Sequence, residues 1–220
     1  MSSTPLLDQF DRDGAIAETG AEALEALDSR RGFLRKLGLG AGAVVGASAF
    51  AGAMPRIASG ATPKSDVAIL NFALTLEYLE AEFYIEAVAK GRFRGELGTF
   101  ARIVKAHEVA HVKFLKGALG SAAVAKPKFD FQGTTTSRAK FKATAQVLED
   151  TGVAAYLGQV GNIKSKQILA AAGSILPIEA RHAGWIRSIN GVSGAPRAFE
   201  GAKTKAQILA AVGGTGFIIG

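Results

Sequence analysis

Apolar residues recur every three or four positions over most of the chain beyond residue 64. This spacing places them on one face of an α-helix. It predicts four long helices, at 65–91, about 100–120, 137–156 and 164–189. Ser65 followed by Asp66 is a helix-start signal, and Asn190-Gly191 is a helix-end signal. A shorter helix is expected at 205–212, followed by an apolar tail that packs back onto the others.

The connection between the second and third helices is long. About 17 residues, roughly 120–136, show no helical period and contain Pro127 and Gly133. Loops in compact domains usually run to about 4–6 residues. A long crossover at this point lets the second and third helices run parallel across a bundle. The sequence therefore predicts an all-α fold: a four-helix bundle with a long crossover between helices 2 and 3 and a short C-terminal helical tail.

Pro177 lies inside the predicted fourth helix. Proline has no amide hydrogen and its ring crowds the preceding turn, so it should kink or split the helix. Either the carbonyl that loses its partner serves a nearby site, or a second helical piece begins at the proline. We prefer a kink without a chemical role.

The composition fits one globular domain preceded by a leader. The chain has 220 residues, of which 48% are hydrophobic and 20% charged, which is enough for a packed core. It contains no cysteine, which excludes disulfides, zinc–thiolate sites and cysteine nucleophiles. The net charge of +7 could attract nucleic acid or anionic lipid. Because the basic residues are not interleaved with aromatic ones, we interpret the charge as a solubility feature and expect no nucleic-acid partner.

A twin arginine precedes an uncharged run near the start of the chain. Residues 1–28 are strongly acidic, residues 29–36 read SRRGFLRK, and residues 37–53 carry no charge. The uncharged run has the length of a signal-peptide core and is short for a membrane-spanning helix, which needs about 20 residues. The segment is similar to the bacterial twin-arginine translocation signal, with Arg35 where lysine is usual. This similarity implies export through the twin-arginine translocase to the periplasm or beyond. An uncleaved N-terminal anchor is the alternative.

Three regions follow from these features. Residues 1–53 form the signal peptide with its long acidic pre-region, 54–64 a small-residue linker, and 65–220 the four-helix bundle with its tail. Small residues at 49–53 offer cleavage sites, so the mature chain is expected to begin near Met54.

Six potential metal ligands are distributed over the four predicted helices in a fixed order. They are Glu77, Glu108, His111, Glu149, Glu179 and His182. The first and third helices each carry one glutamate, and the second and fourth each carry Glu-x-x-His, whose two side chains share a helix face. This is the ligand pattern of di-iron and di-manganese carboxylate bundles. Because carboxylate and imidazole suit both metals, the pattern predicts two Fe or Mn ions.

Each part of this pattern also has an ordinary explanation. A surface Glu–His pair at this spacing stabilises a helix by about 0.2–0.5 kcal/mol, and a lone glutamate can turn toward water. The same faces, however, carry apolar residues such as Leu70, Val104 and Ile175. Carboxylates buried there without cations would be costly. Order and pairing together therefore favour a metal site.

Two tyrosines stand seven residues after the lone glutamates. Tyr84 follows Glu77, and Tyr156 follows Glu149. Two turns further along the same face, a tyrosine can hydrogen-bond a ligand carboxylate without touching the metal. Ordinary core packing is the alternative interpretation.

Glu80 and His107 lie close to the predicted ligands in sequence. Glu80 is one turn after Glu77 and could be the ligand in its place, although the spacing to Tyr84 favours Glu77. His107 precedes Glu108 directly, which places it about 100° away around the helix. We therefore expect His107 not to contact the metal.

Four segments resemble the exported ferritin-like domain family, which includes desiccation-related proteins. They are 76–84 (LEYLEAEFY), 108–111 (EVAH), 148–158 (LEDTGVAAYLG) and 178–187 (IEARHAGWIR). The resemblance spans roughly 64–212 and implies a ferritin-like four-helix fold. Carried over residue by residue, it implies the same six metal ligands. It implies no particular reaction, because a fold does not define an activity.

We therefore expect an exported ferritin-like protein with a dinuclear iron or manganese site that acts in oxidative or metal stress. The sequence leaves open whether it is an enzyme. A ferroxidase or a peroxide-disproportionating enzyme would take a metal ion or a small oxidant as substrate. The alternative is a non-catalytic structural or desiccation-stress protein with a structural or empty metal site. The sequence is compatible with a homo-oligomer without predicting one.

Overall fold

The computed structural model describes residues 62–219, which form five α-helices. In chain order these are α1 (Lys64–Lys90), α2 (Gly95–Leu119), α3 (Arg138–Val160), α4 (Lys166–Ile189) and α5 (Lys205–Thr215), with a short 3-10 turn at Gly120–Ala122 after α2. The predicted all-α class is confirmed. The signal peptide and most of the linker, residues 1–61, lie outside the described residues. None of the helices within 62–219 is long and apolar enough to cross a membrane.

The helices pack as two antiparallel pairs. α1 packs mainly on α2 and α3 on α4, and the pairs meet through α1–α3 and α2–α4 contacts. Hydrogen bonds join Tyr84 to Glu149 and Tyr156 to Glu77, in reversed chain order, so α1 and α3 run antiparallel. Because α1 and α2 form a tight helical hairpin, α2 and α3 run parallel, as the long crossover predicted.

The structure corrects several predicted helix boundaries. α2 begins at Gly95 rather than near residue 100, because its polar first turn hides the apolar period. α3 continues to Val160 rather than ending at Tyr156, so Gly158 is helical and is not part of a turn. Ser65 does not cap α1, whose N-cap residue is Pro63 without a side-chain cap bond.

Pro177 does not split the fourth helix. α4 runs without interruption from Lys166 to Ile189, with Pro177 inside it. The possibility of a second helical piece beginning at the proline is therefore wrong.

Asp66 connects the start of α1 to the start of α4. Its buried carboxylate accepts hydrogen bonds from the backbone amides of Lys164 and Ser165, the latter at 2.8 Å. These contacts hold the pKa of Asp66 below its usual value against the opposing effect of burial. Ser165 in turn caps α4 by accepting from the amide of Ile168. The two helices that supply Glu77 and Glu179 are thus joined at one end.

The C-terminal tail packs back onto the bundle, as predicted. Phe217 is buried, and its ring lies 5.5 Å from that of Phe131 in the crossover. Backbone hydrogen bonds from Asp130 to Phe217 and from Ile219 to Lys128 form an isolated antiparallel bridge. The tail therefore fixes the crossover that links α2 to α3.

The core consists of two apolar clusters with a polar layer between them. One cluster contains Phe83, Phe100 and Phe141, and the other contains Leu74 and Leu115. Residues of α1 to α4 contribute to both clusters, and α5, the crossover and the tail add Ile208, Phe131 and Phe217 to the first. The buried glutamates belong to the same four long helices. Any group bound in this layer is shielded from water on both sides.

Gly158 allows the segment before α5 to contact α3. The amide of Lys203 donates to the carbonyl of Ala154, and a Cβ at residue 158 would lie 1.9 Å from the carbonyl oxygen of Lys203. We predict that Gly158→Ala lowers the free energy of unfolding by about 1–3 kcal/mol, because backbone must move to admit the methyl group.

Gly117→Ala is the matched control in urea unfolding. Gly117 is an exposed helical glycine with nothing near its missing Cβ, so alanine there should stabilise by up to about 1 kcal/mol. Equal unfolding midpoints for the two variants would contradict the packing described.

Candidate metal centre

The six predicted ligands meet in the polar layer between the apolar clusters. Glu77 comes from α1, Glu149 from α3, and the two Glu-x-x-His motifs from α2 and α4. All four glutamates are fully buried, and His182 is 3% exposed. The side chain of His111 is 12% exposed and lies at the edge of the layer.

The six side chains form two overlapping groups of four, each with its ligand atoms within 4.8 Å of one another. The first group is Glu77, Glu108, His111 and Glu179, and the second is Glu108, Glu149, Glu179 and His182. Two carboxylates, Glu108 and Glu179, belong to both groups. A carboxylate has two oxygens and can serve two cations at once, so the arrangement has the form of two adjacent cation sites.

Each histidine directs one ring nitrogen at the carboxylates. His111 Nδ1 lies 3.1 Å from Glu179 Oε1, 3.2 Å from Glu77 Oε2 and 3.3 Å from Glu108 Oε2. Three carboxylates from three helices therefore surround one nitrogen. A single N–H could satisfy only one of them well, whereas a cation beside the nitrogen would attract all three.

His182 has the same arrangement in the second group. Its Nδ1 lies 3.1 Å from Glu108 Oε1 and 3.2 Å from Glu149 Oε2. These atoms approach without the alignment of a hydrogen bond, so His182 Nδ1, Glu108 Oε1, Glu149 Oε2 and both oxygens of Glu179 are buried without a hydrogen-bond partner. Buried polar atoms are rarely left so. Unpaired donor atoms of the types that bind Fe and Mn, converging in one layer, fit a metal centre.

Two tyrosines each hydrogen-bond a glutamate of the opposite helix, α1 or α3. In each case the bonded carboxylate oxygen is the one that does not approach a histidine. Tyr84 of α1 donates to Glu149 Oε1 on α3. Tyr156 of α3 donates to Glu77 Oε1 on α1 at 2.5 Å. Each tyrosine thus fixes the orientation of a glutamate whose other oxygen faces the centre. Burial and the adjacent carboxylate raise the pKa of both phenols well above the usual value, so each remains a donor.

His107 contacts the far side of His182. The two rings approach with His107 Nδ1 2.8 Å from His182 Nε2. Burial and the neighbouring histidines lower the pKa of His107 to about 4, so it is neutral and can accept a proton there. With its Nε2–H donated to His107, His182 would present the lone pair of Nδ1 to a metal that displaces the Nδ1 proton, which is the tautomer that a metal requires.

A fifth buried glutamate lies beside the centre. Glu80 is 4% exposed and belongs to neither group of four. A Cβ at Gly152 would lie 3.2 Å from Glu80 Oε1 and 3.3 Å from Glu179 Oε2. Burial, followed by the charges of Glu179 and Glu149, raises the pKa of Glu80 well above its usual value.

The buried glutamates compete for protons. Burial and the charge of Glu179 raise the pKa of Glu108 well above its usual range. Burial likewise raises the pKa of Glu179, to about 7. Burial opposes ionisation of Glu77 as well, but His111 outweighs it and lowers the pKa of Glu77 below its usual value. Without cations the centre can stay buried only by holding protons.

The two histidines are the other proton carriers of the centre. Burial disfavours the charged form of His182, but Glu108 and Glu149 outweigh it and raise its pKa to about 11. Burial also disfavours the charged form of His111. The charge of Glu77 and the neighbouring carboxylates outweigh burial and raise the pKa of His111 well above its usual value. Both rings are therefore protonated at neutral pH in the absence of metal.

The structure brings all six sequence-predicted residues together, with both tyrosines bonded to members of the set. Glu77, rather than Glu80, joins the first group. His107 stands outside both groups, as expected, but its contact with His182 was not foreseen. The sequence did contain a signal for this contact. His107 directly precedes Glu108 on α2, and α2 packs against α4, which carries the other Glu-x-x-His motif.

A family model described as a ferritin-like domain matches residues 65–192. That range is more than half of the 220 residues and contains all six residues of the two groups. No curated protein matches the chain.

We predict that metal binding releases protons and tightens as the pH rises. Because the metal-free centre holds protons on His182 (pKa about 11) and shares them with Glu179 (pKa about 7), a cation must displace them. Affinity for Mn²⁺ should therefore increase between about pH 5 and pH 8. Calorimetric titration in two buffers of different ionisation enthalpy measures the protons released. An affinity independent of pH, with no proton release, would contradict this electrostatic description.

Proposed function

Because the chain belongs to the ferritin-like domain family, we propose that it binds two iron or manganese ions between its four long helices and serves as an exported redox protein in oxidative or metal stress. The observation that carries this proposal is the sharing of Glu108 and Glu179 by two groups of four potential ligands. Iron or manganese bound there would supply redox chemistry with dioxygen or peroxide.

The charge of the ligand set supports two ions. With neutral histidines, the carboxylates of Glu77, Glu108, Glu149 and Glu179 balance the charge of two divalent cations. One cation would leave excess negative charge on glutamates that are fully buried, which is costly. The set is therefore better matched to a pair of ions than to a single one.

An apolar cavity next to the centre supports a small oxidant as substrate. Its volume is about 20 Å³, and Leu70, Leu115 and Ala172 are among its lining residues. Tyr156 also lines it and donates to Glu77. A cavity of this size can hold one small molecule, and an apolar one does not retain water. Dioxygen fits that description better than a charged metabolite does.

A structural role is the second candidate. The two groups together draw ligands from α1, α2, α3 and α4, so bound ions would join all four long helices in the middle of the bundle. Ions that bind only the folded state stabilise it by mass action. This function requires metal but no reaction.

The experiment that separates the two candidates starts from metal-free protein. Reconstitution should give close to two Fe or Mn per chain, and His111→Ala with His182→Ala should lose most of that metal. The iron-loaded protein should oxidise Fe(II) in air or consume peroxide with turnover. Glu149→Gln should lower that rate more than it lowers the melting temperature, because it removes a ligand charge and retains the shape.

Glu82→Gln is the control for a lost charge, since Glu82 is partly exposed and pairs with Lys126. It should retain both the metal and the rate. A metal-loaded protein that is inert to dioxygen and to peroxide, but less stable after metal removal, would favour the structural role. Equal metal content in the wild type and the double histidine variant would contradict both candidates.

Export is a separate part of the proposal and rests on Arg30-Arg31 before the uncharged run at 37–53. In a bacterial host with this pathway, changing both arginines to Lys should leave the precursor in the cytoplasm, because the translocase recognises the pair. Cell fractionation measures the distribution. Delivery of the double variant to the periplasm at the wild-type level would contradict export by this route.

A further inference from the structure

The outer surface of the described domain is more basic than its composition indicates. Residues 62–219 contain twenty Lys or Arg and twelve Asp or Glu. None of the basic residues in this range is buried, whereas six of the acids are: Asp66, Glu77, Glu80, Glu108, Glu149 and Glu179. The acids that remain at the surface are therefore outnumbered more than threefold. On sequence grounds the net charge is a solubility feature, but it understates the positive charge that a partner would meet.

Much of this charge collects at one end of the bundle. The segment between α1 and α2 lies beside the start of α3, because the ring of Phe93 stacks on that of Phe141 at 4.5 Å. Two stretches, 86–102 and 134–142, form this end and contain seven basic residues and two acids. The basic residues are Lys90, Arg92, Arg94, Arg102, Arg138, Lys140 and Lys142.

The two acids of this end are already engaged. Glu86 pairs with Lys90 at 3.0 Å and accepts a hydrogen bond from Thr135. Glu96 accepts the indole N–H of Trp185 at 2.9 Å. Four exposed basic side chains form no ion pair with any residue of 62–219, and we call them the basic end: Arg92, Arg94, Arg138 and Lys140.

The fold does not explain why basic residues occupy these four positions. A helix N-terminus carries partial positive charge and favours acidic side chains, yet the first turn of α3 contains Arg138 and Lys140 and no acid. Arg94 is the N-cap of α2 and makes no side-chain cap bond, where Ser, Thr, Asn and Asp are preferred. Arg92 has a φ of 50°, in the left-handed region that favours glycine. Departures from local rules that gather on one surface point to a function there.

We propose that the basic end is a docking surface for an anionic phospholipid membrane. Three of its four residues are arginines, whose paired N–H donors match the oxygens of a phosphate group. Each Lys or Arg near an anionic membrane surface adds to the attraction. The four side chains come from two adjacent segments at one end of the bundle, so they can contact several headgroups at once. This attachment is peripheral, since no helix within 62–219 is suited to cross a membrane.

Nucleic acid also offers phosphate, but the basic end lacks another feature of nucleic-acid sites. Proteins that bind single strands combine basic residues with aromatic rings on which bases stack. Phe93, the aromatic residue between Arg92 and Arg94, instead packs against the core and stacks on Phe141. The preference for lipid also rests on the export part of the proposed function, which brings the chain to a membrane. The docking itself requires neither metal nor a reaction and so goes beyond that function.

Co-sedimentation with lipid vesicles tests the proposal. It compares the full chain with a variant that carries Arg92→Gln, Arg94→Gln, Arg138→Gln and Lys140→Gln and retains the same leader. Vesicles of phosphatidylglycerol and phosphatidylcholine in equal parts should bind the variant at least about tenfold more weakly than wild type. Vesicles of phosphatidylcholine alone should not distinguish the two proteins. Salt at about 500 mM should remove the difference, because it screens exposed charges.

The matched control loses four basic residues from the opposite end of the bundle. Lys64 and Lys166 begin α1 and α4, and Lys113 and Lys116 lie in the last two turns of α2; all four are exposed. The ends of α1 are about 40 Å apart, several times the screening length of about 10 Å. Replacing these four lysines with Gln should therefore leave vesicle binding close to that of wild type. Equal loss of binding in the two variants would overturn the proposal, because overall charge would then be responsible.

Two further measurements decide between a docking role and its alternatives. In thermal unfolding the basic-end variant should be at least as stable as wild type, because it removes basic charge from the starts of two helices. A markedly less stable variant would assign the four residues to the fold and overturn the proposal. Binding of wild type to random-sequence duplex DNA, but not to anionic vesicles, would overturn it in favour of nucleic acid. None of these measurements depends on metal content, so failure of the proposed metal site would be seen separately.

Discussion

Five glutamate side chains buried in one layer of a helical bundle are the constraint on which this structure depends. Glu77, Glu80, Glu108, Glu149 and Glu179 lie between two apolar clusters, where an unpaired charge is costly. The described chain supplies only two protonated histidines, His111 and His182, as cations in contact with the layer. In the metal-free protein, bound protons must neutralise the remaining negative charge of the glutamates, and metal cations can replace these protons. The electrostatics of the layer, as well as its geometry, are therefore compatible with bound cations.

The topology of the bundle brings residues that are far apart in sequence together in that layer. Because the crossover makes α2 and α3 parallel, the two Glu-x-x-His helices, α2 and α4, pack against each other, and the lone glutamates come from α1 and α3. The hydrogen bonds of Tyr84 and Tyr156 cross between α1 and α3 and hold both lone glutamates. The carbonyl and amide contacts of Phe217 and Ile219 hold the crossover in place. Distant parts of the chain therefore act on the same six side chains.

The sequence was sufficient for the existence of the four long helices and for the six residues that cluster between them, because both follow short-range rules. Glu-x-x-His places two donors on one helix face whatever the tertiary structure is. Glu80 is different, because its burial depends on the missing side chain of Gly152 in a helix more than seventy positions later. The predicted end of α3 at residue 156 was wrong for a similar reason. Gly158 resembles a turn signal, but the chain near Lys203 packs against it and the helix continues to Val160. Pro177 was compatible with a kink or with a break on sequence grounds, and α4 runs through it without interruption.

The most direct test of the account is the position of the metals relative to Glu108 and Glu179. Anomalous diffraction from crystals of manganese-loaded protein would locate each ion independently of the side chains. The account predicts two peaks about 3.5–4 Å apart, one beside His111 and the other beside His182, with Glu108 and Glu179 contacting both. A single peak, or two peaks that share neither glutamate, would contradict it.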